Sequence, residues 1–464
     1  MEQLGGFDAS FLYFETPTMH MHVLGLIIID PSTIEGGYSF GLVRKYVEAR
    51  APLIPGMRRK LANVPLNLGH PYWVEDKSFD LDFHLHRVQV AAPGGDRELG
   101  DLVGDIGSRP LDRGHPLWEM HVVEGLADGT IALVAKMHHS TVDGITGANM
   151  MAQLFDLTPG APIEREGMDP WVPERDPSEI SMLARGIADL AARPVRIAQI
   201  LPGTVGRVVK LVTQRRARGT GMPVPFTAPR TSFNATVTAH RSVAFTSIPM
   251  ADIKAIKNHY DVKVNDVVMA VCSGALRRYL DKRGELPEKS LVSAIPISVH
   301  AENPGPGINK VSVMFTSLAS DIVDPGERMR VIAESNEGAK EDHKMLGATT
   351  LQDWAEHAAP NTFSLAARLY SSLRFANRHP VVHNLVISNV PGPPIDLYCA
   401  GGRITRLFPL GPVLDGAGLN VTVLSQQDEM GFGLIACREL MPDLWDLCSA
   451  IEEEVGEILA LTKA

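Results

Sequence analysis

The chain has 464 residues, 45% of them hydrophobic, 21% charged and 6% aromatic, a globular balance that excludes fibrous or wholly disordered chains and leaves room for about two to four domains. Its formal net charge is −10, a poor match to nucleic acid, whose phosphate backbone demands clustered positive charge. The four cysteines, Cys272, Cys399, Cys437 and Cys448, show neither metal-ligand spacing nor a disulfide framework, which fits a reducing cytoplasm.

Residues 23–29 are a short apolar run that stops at Asp30-Pro31, a buried-strand pattern. Residues 40–48 read as helix, 81–90 as an alternating strand, 99–109 as helix and 120–124 as strand. Residues 130–137 form an apolar strand that runs straight into His138, and 144–157 have helical spacing. No basic region followed by an apolar run opens the chain, so no secretory signal is visible. No apolar run approaches the roughly 20 residues that span a bilayer, so any membrane relation is expected to be peripheral.

Prolines 159, 162, 170, 173 and 177 mark residues 158–178 as an exposed linker. Residues 178–219 carry eight basic side chains against Glu179 and Asp189. There Ile180, Leu183, Ile187 and Leu190 share one helical face, as do Val205, Val208, Val209 and Val212, and Pro194, Pro202 and Gly203 are expected to break the helix. Two readings stay open: an interfacial helix pair for anionic lipid, or a solvated linker packing its apolar stripe on the body.

A second α/β pattern follows. Residues 248–259, 265–282, 325–343, 361–378 and 442–461 read as helices, and 290–297, 310–316, 382–388, 420–425 and 431–437 as strands. The predicted plan is α/β, with a first half at 1–157, a linker at 158–235 and a second half at 236–464.

The strongest local signal is His138-His139-Ser140-Thr141-Val142-Asp143-Gly144, set between a strand and a helix. A histidine at a strand end can act as a general base while the aspartate fixes local geometry. Gly144 permits close approach of backbone or substrate. A solvated His-His pair with an Asp helix cap is the bland alternative, and a metal site a third that needs further ligands. Asn265-Asp266 opens a helix, where Asn265 either caps it or donates to substrate. His84 and His86 alternate on one strand, a spacing that a metal could use but that non-functional histidines share.

HHSTVDG matches the HHxxxDG signature of CoA-dependent acyltransferases of the chloramphenicol acetyltransferase type. With Pro116-Leu117-Trp118-Glu119, Asn265-Asp266-Val267-Val268 and Ser388-Asn389-Val390-Pro391-Gly392-Pro393 in that order, the chain resembles the bacterial wax ester synthase/acyl-CoA:diacylglycerol acyltransferase family over nearly its whole length. The resemblance implies two chloramphenicol acetyltransferase-like halves joined by a long crossover, with an active-site tunnel between them. It implies acyl transfer from acyl-CoA to diacylglycerol, and to long-chain alcohols, with His139 as proton acceptor and His138 and Asp143 in support. Gly144, Asn265, Ser388 and Asn389 are the implied substrate-binding residues. No cofactor, metal or nucleophilic Ser or Cys is implied, acyl-CoA being a co-substrate. The expected setting is cytoplasmic, at the inner face of the membrane or at lipid droplets. Two positions depart from the family: His300 stands where Pro296-Ile297-Ser298 leads to an expected Arg, and Ser425-Gln426-Gln427-Asp428 replaces a Ser-Tyr-x-Gly turn. The rival readings are an acyltransferase for carrier-bound or polyketide-type acyl groups, and a catalytically weak lipid-surface binding protein.

Overall fold

The computed structural model describes residues 2–142, 144–163, 177–218, 221–298, 309, 311–347 and 350–463. The first half runs β1 (Glu2–Gln3), α1 (Gly6–Phe14), β2 (His22–Asp30), α2 (Phe40–Arg50), α3 (Pro55–Arg58), β3 (Arg59–Ala62), β4 (Tyr72–Glu75), β5 (Leu85–Gln89), α4 (Asp96–Gly107), β6 (Trp118–Glu124), β7 (Ile131–His138) and α5 (Gly144–Leu154). A 40-residue helix, α6 (Glu179–Arg218), follows. The second half runs β8 (Arg241–Pro249), α7 (Met250–Tyr260), α8 (Val264–Asp281), β9 (Val292–Ser298), β10 (Val311–Ser317), α9 (Pro325–Leu346), α10 (Thr350–Ala355), α11 (Pro360–Ser372), β11 (Leu385–Pro391), β12 (Tyr398–Cys399), β13 (Gly402–Leu410), β14 (Leu419–Gln426), β15 (Glu429–Cys437) and α12 (Leu444–Thr462).

Two six-stranded sheets carry this mixed α/β fold, in the orders β12-β13-β2-β7-β6-β5 and β10-β9-β11-β14-β15-β8. The halves exchange a segment. Strands β12 and β13 lie within the 236–464 stretch, yet β13 pairs antiparallel with β2, from Arg403 opposite Asp30 to Leu410 opposite Leu24. Where β13 crosses β15, a Cβ at Gly431 or Gly433 would collide with the carbonyls of Leu407 and Pro409, so only glycine allows the two backbones this approach. Leu26, Phe408 and Leu410 meet Phe245 and Ile435 around the crossing, with Leu99 and Val103 of α4 completing a core shared by both halves. That shared core fixes one half against the other, which matters because the candidate site draws on both.

Strands β3, β4, β8 and β13 and helices α1 and α10 lie where the sequence pattern indicates no element, and three segments that it does indicate fall differently. Pro194 and Pro202 lie inside the continuous helix α6 and do not break it. Each costs roughly 3 kcal/mol in a helix interior. The carbonyls that lose a donor are those of Leu190 and Ala198, both exposed residues. α6 packs on the body through Met182, which joins Val64 and Tyr72, and through Thr204, which accepts from Trp354 Nε1 at 3.0 Å. Its Ile180, Ile187 and Leu190 stay exposed. Residues 81–90 begin as a 3-10 turn at Leu81–Phe83 because Asp80 accepts from the Asp82 N–H, and only Leu85–Gln89 is strand. The strand expected at 382–388 is shifted to Leu385–Pro391. Beyond Val386 that strand has β14 on one side and no longer pairs with β9, an edge on which proline is tolerated. The expected linker falls mainly on 164–176, outside the described residues. Among the described residues no helix is long and apolar enough to cross a membrane.

Candidate active site

Strand β7 ends at His138, whose backbone N–H donates to Leu117 O at 3.0 Å, while the next N–H, of His139, donates to Met21 O at 2.8 Å. The Pro-Leu-Trp segment thus anchors the strand end. Trp118 beside it is buried, with Nε1 donating to Met57 O at 2.8 Å and its ring stacked on His84 at 4.4 Å. Glu119 pairs with the buried Lys136 of β7 at 3.2 Å. Burial alone would raise the Glu119 carboxyl, but its bonds to His121 and Lys136 hold it down to about 2.

The two histidines have opposite roles. The Nδ1 of His138 accepts the Ser140 N–H at 3.1 Å and lies 2.8 Å from the Ser140 hydroxyl. An acceptor Nδ1 puts the proton on Nε2, so this ring is a neutral clamp on the turn. It is buried. Burial first, then Arg113 and His139, hold its basicity well below that of an ordinary histidine. Its Nε2 faces Glu15 at 3.8 Å, and Glu15 is itself tied to Arg113 at 2.6 Å.

His139 is half-buried, and its ring lies parallel to that of Phe11 from α1 at 4.2 Å. Its Nδ1 is 3.1 Å from Asn309 Oδ1. The orientation of the Asn309 amide follows from its other partners: Nδ2 donates to Asp8 Oδ1 at 2.8 Å and to His139 O at 2.7 Å. The Asn309 backbone N–H also donates to Asp8 Oδ1, at 2.8 Å. Oδ1 of an amide only accepts, so His139 Nδ1 carries a proton, which in the neutral ring leaves the lone pair on Nε2. That is the tautomer a general base at Nε2 requires. Asp8, on the buried side of α1, holds the whole arrangement.

Asp8, Phe11 and Asn309 were not singled out from the sequence. Asp8 and Phe11 share one helix face within Gly6–Phe14, a pattern indistinguishable from core packing. Asn309 lies 301 positions from Asp8. Of the residues expected at the site, Asp143 and His300 lie outside the described residues, and Gly144 opens α5. Asn265 is half-buried in the first turn of α8 and does not cap it. Asp266 does, accepting the Lys263 N–H at 3.0 Å and the Asn336 amide at 2.7 Å. Ser388 and Asn389 are half-buried strand residues opposite Thr422 and Val423 of β14. The next residue, Val390, packs on the core of the first half. Gln427, in the departing turn, takes a left-handed φ of 51°.

Among the described residues no three metal-ligating side chains converge. His84 is engaged with Trp118, its Nδ1 2.8 Å from the tryptophan carbonyl. All four cysteines are buried, and burial pushes the thiols of Cys272, Cys399 and Cys448 up to about 12. Such thiols are inert as nucleophiles.

Residues 4–268 match the family described as "Wax ester synthase/diacylglycerol acyltransferase catalytic domain", and residues 308–459 match "WS/DGAT C-terminal domain". A Mycobacterium tuberculosis protein named "Putative diacyglycerol O-acyltransferase" is 42% identical over 460 residues, covering 99% of this chain and 90% of its own. Another of that name and organism is 33% identical, covering 99% of this chain and 96% of its own. The solved wax ester synthase/diacylglycerol acyltransferase of Marinobacter aquaeolei VT8 superposes with a TM-score of 0.68 at 29% identity, covering 100% of both chains. The first condensation domain of the calcium-dependent antibiotic synthetase shares the fold, with a TM-score of 0.57 at 12% identity over 100% of this chain and 96% of that one.

Proposed function

The chain belongs to the wax ester synthase/diacylglycerol acyltransferase family, and from that premise we propose that it moves a long-chain acyl group from acyl-CoA to diacylglycerol, with long-chain alcohols as further acceptors. The observation that carries this reading is the His139 tautomer, fixed by Asn309 so that Nε2 is the basic nitrogen. Nε2 takes the proton of the acceptor hydroxyl, and the oxygen attacks the thioester carbonyl. The tetrahedral intermediate collapses, the C–S bond breaks, and the imidazolium returns its proton to the departing CoA sulfur. A positioned base of this kind contributes about 10²–10⁴-fold in rate. Direct transfer needs no acyl-enzyme and no cofactor.

Gly144, Asn265, Ser388 and Asn389 are proposed to line the substrate path, Asn265 as a donor to the developing oxyanion. Asp143 is proposed to brace the turn. The cytoplasmic face of a membrane or a lipid droplet is the proposed place of work, because both substrates carry long acyl chains.

The test is CoA release from palmitoyl-CoA with diacylglycerol, monoacylglycerol or hexadecanol, and with shorter acyl-CoAs or acyl-carrier thioesters as competing donors. His139→Ala is expected to abolish release while the protein stays folded. Retention of most activity in that variant would remove His139 as the base, and preference for the carrier thioester would replace the donor.

A further inference from the structure

Helix α11 is apolar on two opposite faces. Inward, the ring of Phe363 meets Phe14 of α1 edge-on at 4.7 Å, and Ala367 is buried. Outward, Leu365, Leu369 and Leu373 follow at four-residue intervals and are 58%, 46% and 49% exposed. Phe375, just past the end of the helix, is more than two-fifths exposed as well. At the start of the helix, Asn361 Nδ2 donates to Leu66 O at 2.9 Å. Leu66 is held at φ 60°, a conformation rare and strained for a leucine, with its side chain 76% exposed. In water nothing is gained by straining the backbone to present a leucine. A row of exposed leucines on a helix already packed on its other side marks a surface that meets a partner.

The surrounding charge identifies the partner. No acidic residue lies between Glu356 and Asp396. Within that stretch Arg368, Arg374 and Arg378 are exposed, and none forms an ion pair among the described residues. A second copy docking through the same face would set arginine against arginine. Apolar side chains ringed by uncompensated guanidinium groups match the boundary between phosphate headgroups and acyl chains. We infer that the outward face of α11, with Leu66 beside its first turn, seats this protein on the surface of an anionic phospholipid membrane. The site is well placed for that. Phe14 is one helical turn from Phe11, whose ring stacks on His139. The inference rests on the acyl-transfer reading only for its purpose, delivery of a bilayer-dissolved acceptor to His139.

The experiment is sedimentation of the full-length protein with phosphatidylcholine vesicles, with and without phosphatidylglycerol. Binding is expected to require phosphatidylglycerol and to weaken with salt. Leu369→Glu/Leu373→Glu is expected to lower the partition coefficient at least about tenfold, and Arg368→Ala/Arg374→Ala to remove the phosphatidylglycerol-dependent part. The arginine pair covers the case in which the leucine pair fails to fold, which a thermal melt would reveal. Wild-type protein that ignores both vesicles overturns the inference. So does a folded leucine variant that binds like wild type, or a loss of binding that follows Ile187→Glu/Leu190→Glu on α6 in place of the α11 changes. Capture of another protein by this face with no vesicle binding does the same. Wild-type protein that sediments yet releases no CoA sinks the acyl-transfer reading and leaves the docking face standing; release without sedimentation does the reverse.

Discussion

Truncating Asn309 tests the tautomer argument most directly. Asn309→Ala keeps the backbone bond to Asp8 and deletes three side-chain bonds: to Asp8 at 2.8 Å, to the His139 carbonyl at 2.7 Å and from His139 Nδ1 at 3.1 Å. A bond to a carboxylate is worth about 1.5–3 kcal/mol and a neutral one about 1. The three share one side chain and do not add fully, so a stability loss of about 3 kcal/mol is expected. The catalytic loss has a different origin. Without an acceptor at Nδ1 the imidazole is free to carry its proton on Nε2, where it cannot act as a base, and the stacked Phe11 constrains only its plane. A kcat fall of about 10²-fold or more is expected, with KM little changed, because the contribution at stake is that of the proposed base. Asn309→Asp adds a pH signature, at a further cost in stability because its carboxylate faces Asp8 and the His139 carbonyl where the amide donated. It retains an acceptor for Nδ1 but sets a negative charge beside the ring, which favours imidazolium, so the acidic limb of the kcat/KM profile moves to higher pH. Thiol-trapping of released CoA over a pH series, with kcat and KM resolved, is the assay, and a thermal melt gives the stability term. An alanine variant that loses melting temperature but keeps the wild-type kcat and pH profile would refute the tautomer role and leave Asn309 purely structural.

Three further outcomes follow from buried charge and close packing. His20, His22, His138 and His383 are all less basic than an ordinary histidine, mainly through burial, with His20 and His383 brought down to about 4. The unfolded chain binds protons at these positions below about pH 6.5 and the folded chain does not. Their contribution is therefore complete above that pH and lost as pH falls towards 4, which denaturant titrations at stepped pH would register as a declining midpoint. In Gly274→Ala the new methyl would overlap the Glu454 carboxylate, which pairs with Arg328 and Arg278; a loss of about 3 kcal/mol or more is expected in chemical denaturation. Arg50→Met leaves Asp156, 2.7 Å away and 9% exposed, without its buried partner. A loss of about 3–5 kcal/mol is expected, and Arg50→Met/Asp156→Leu should recover much of it.

What was legible in the sequence was local. The apolar run at 130–137 feeding into His138 is strand β7, and Asn265-Asp266 and the last helix fall on the elements their patterns indicate. Proline content misled at α6 because its penalty depends on whether water can satisfy the orphaned carbonyls, and that is a property of the tertiary surface. The exchange of β12 and β13 into the first sheet was doubly invisible, because neither segment was read as a strand and a strand once read does not name its sheet. A strand's periodicity says which face is buried and nothing about which sheet it joins. The outward leucines of α11 equally look like core spacing until the other side of the helix is seen to be packed.

The same limit explains why the motif alone leaves two adjacent histidines indistinguishable. Both imidazoles bond through Nδ1. His138 receives a backbone N–H from its own turn, two residues away, whereas His139 donates to an amide 170 positions away. The first bond forms with the local chain and commits its ring to structure. The second exists only when the second half has closed on the first and Asp8 has turned the Asn309 amide the right way. Competence of the proposed base is therefore expected to depend on docking of the halves. On this argument a change at the β13–β15 crossing, such as Gly433→Ala, which would collide with Pro409 O, should lower kcat through Asn309 even though it touches no residue of the site. Pairing it with Asn309→Ala is the decisive measurement: if the crossing acts through Asn309, the double variant loses little more kcat than Asn309→Ala alone, whereas multiplicative losses would mean that the crossing acts by another route.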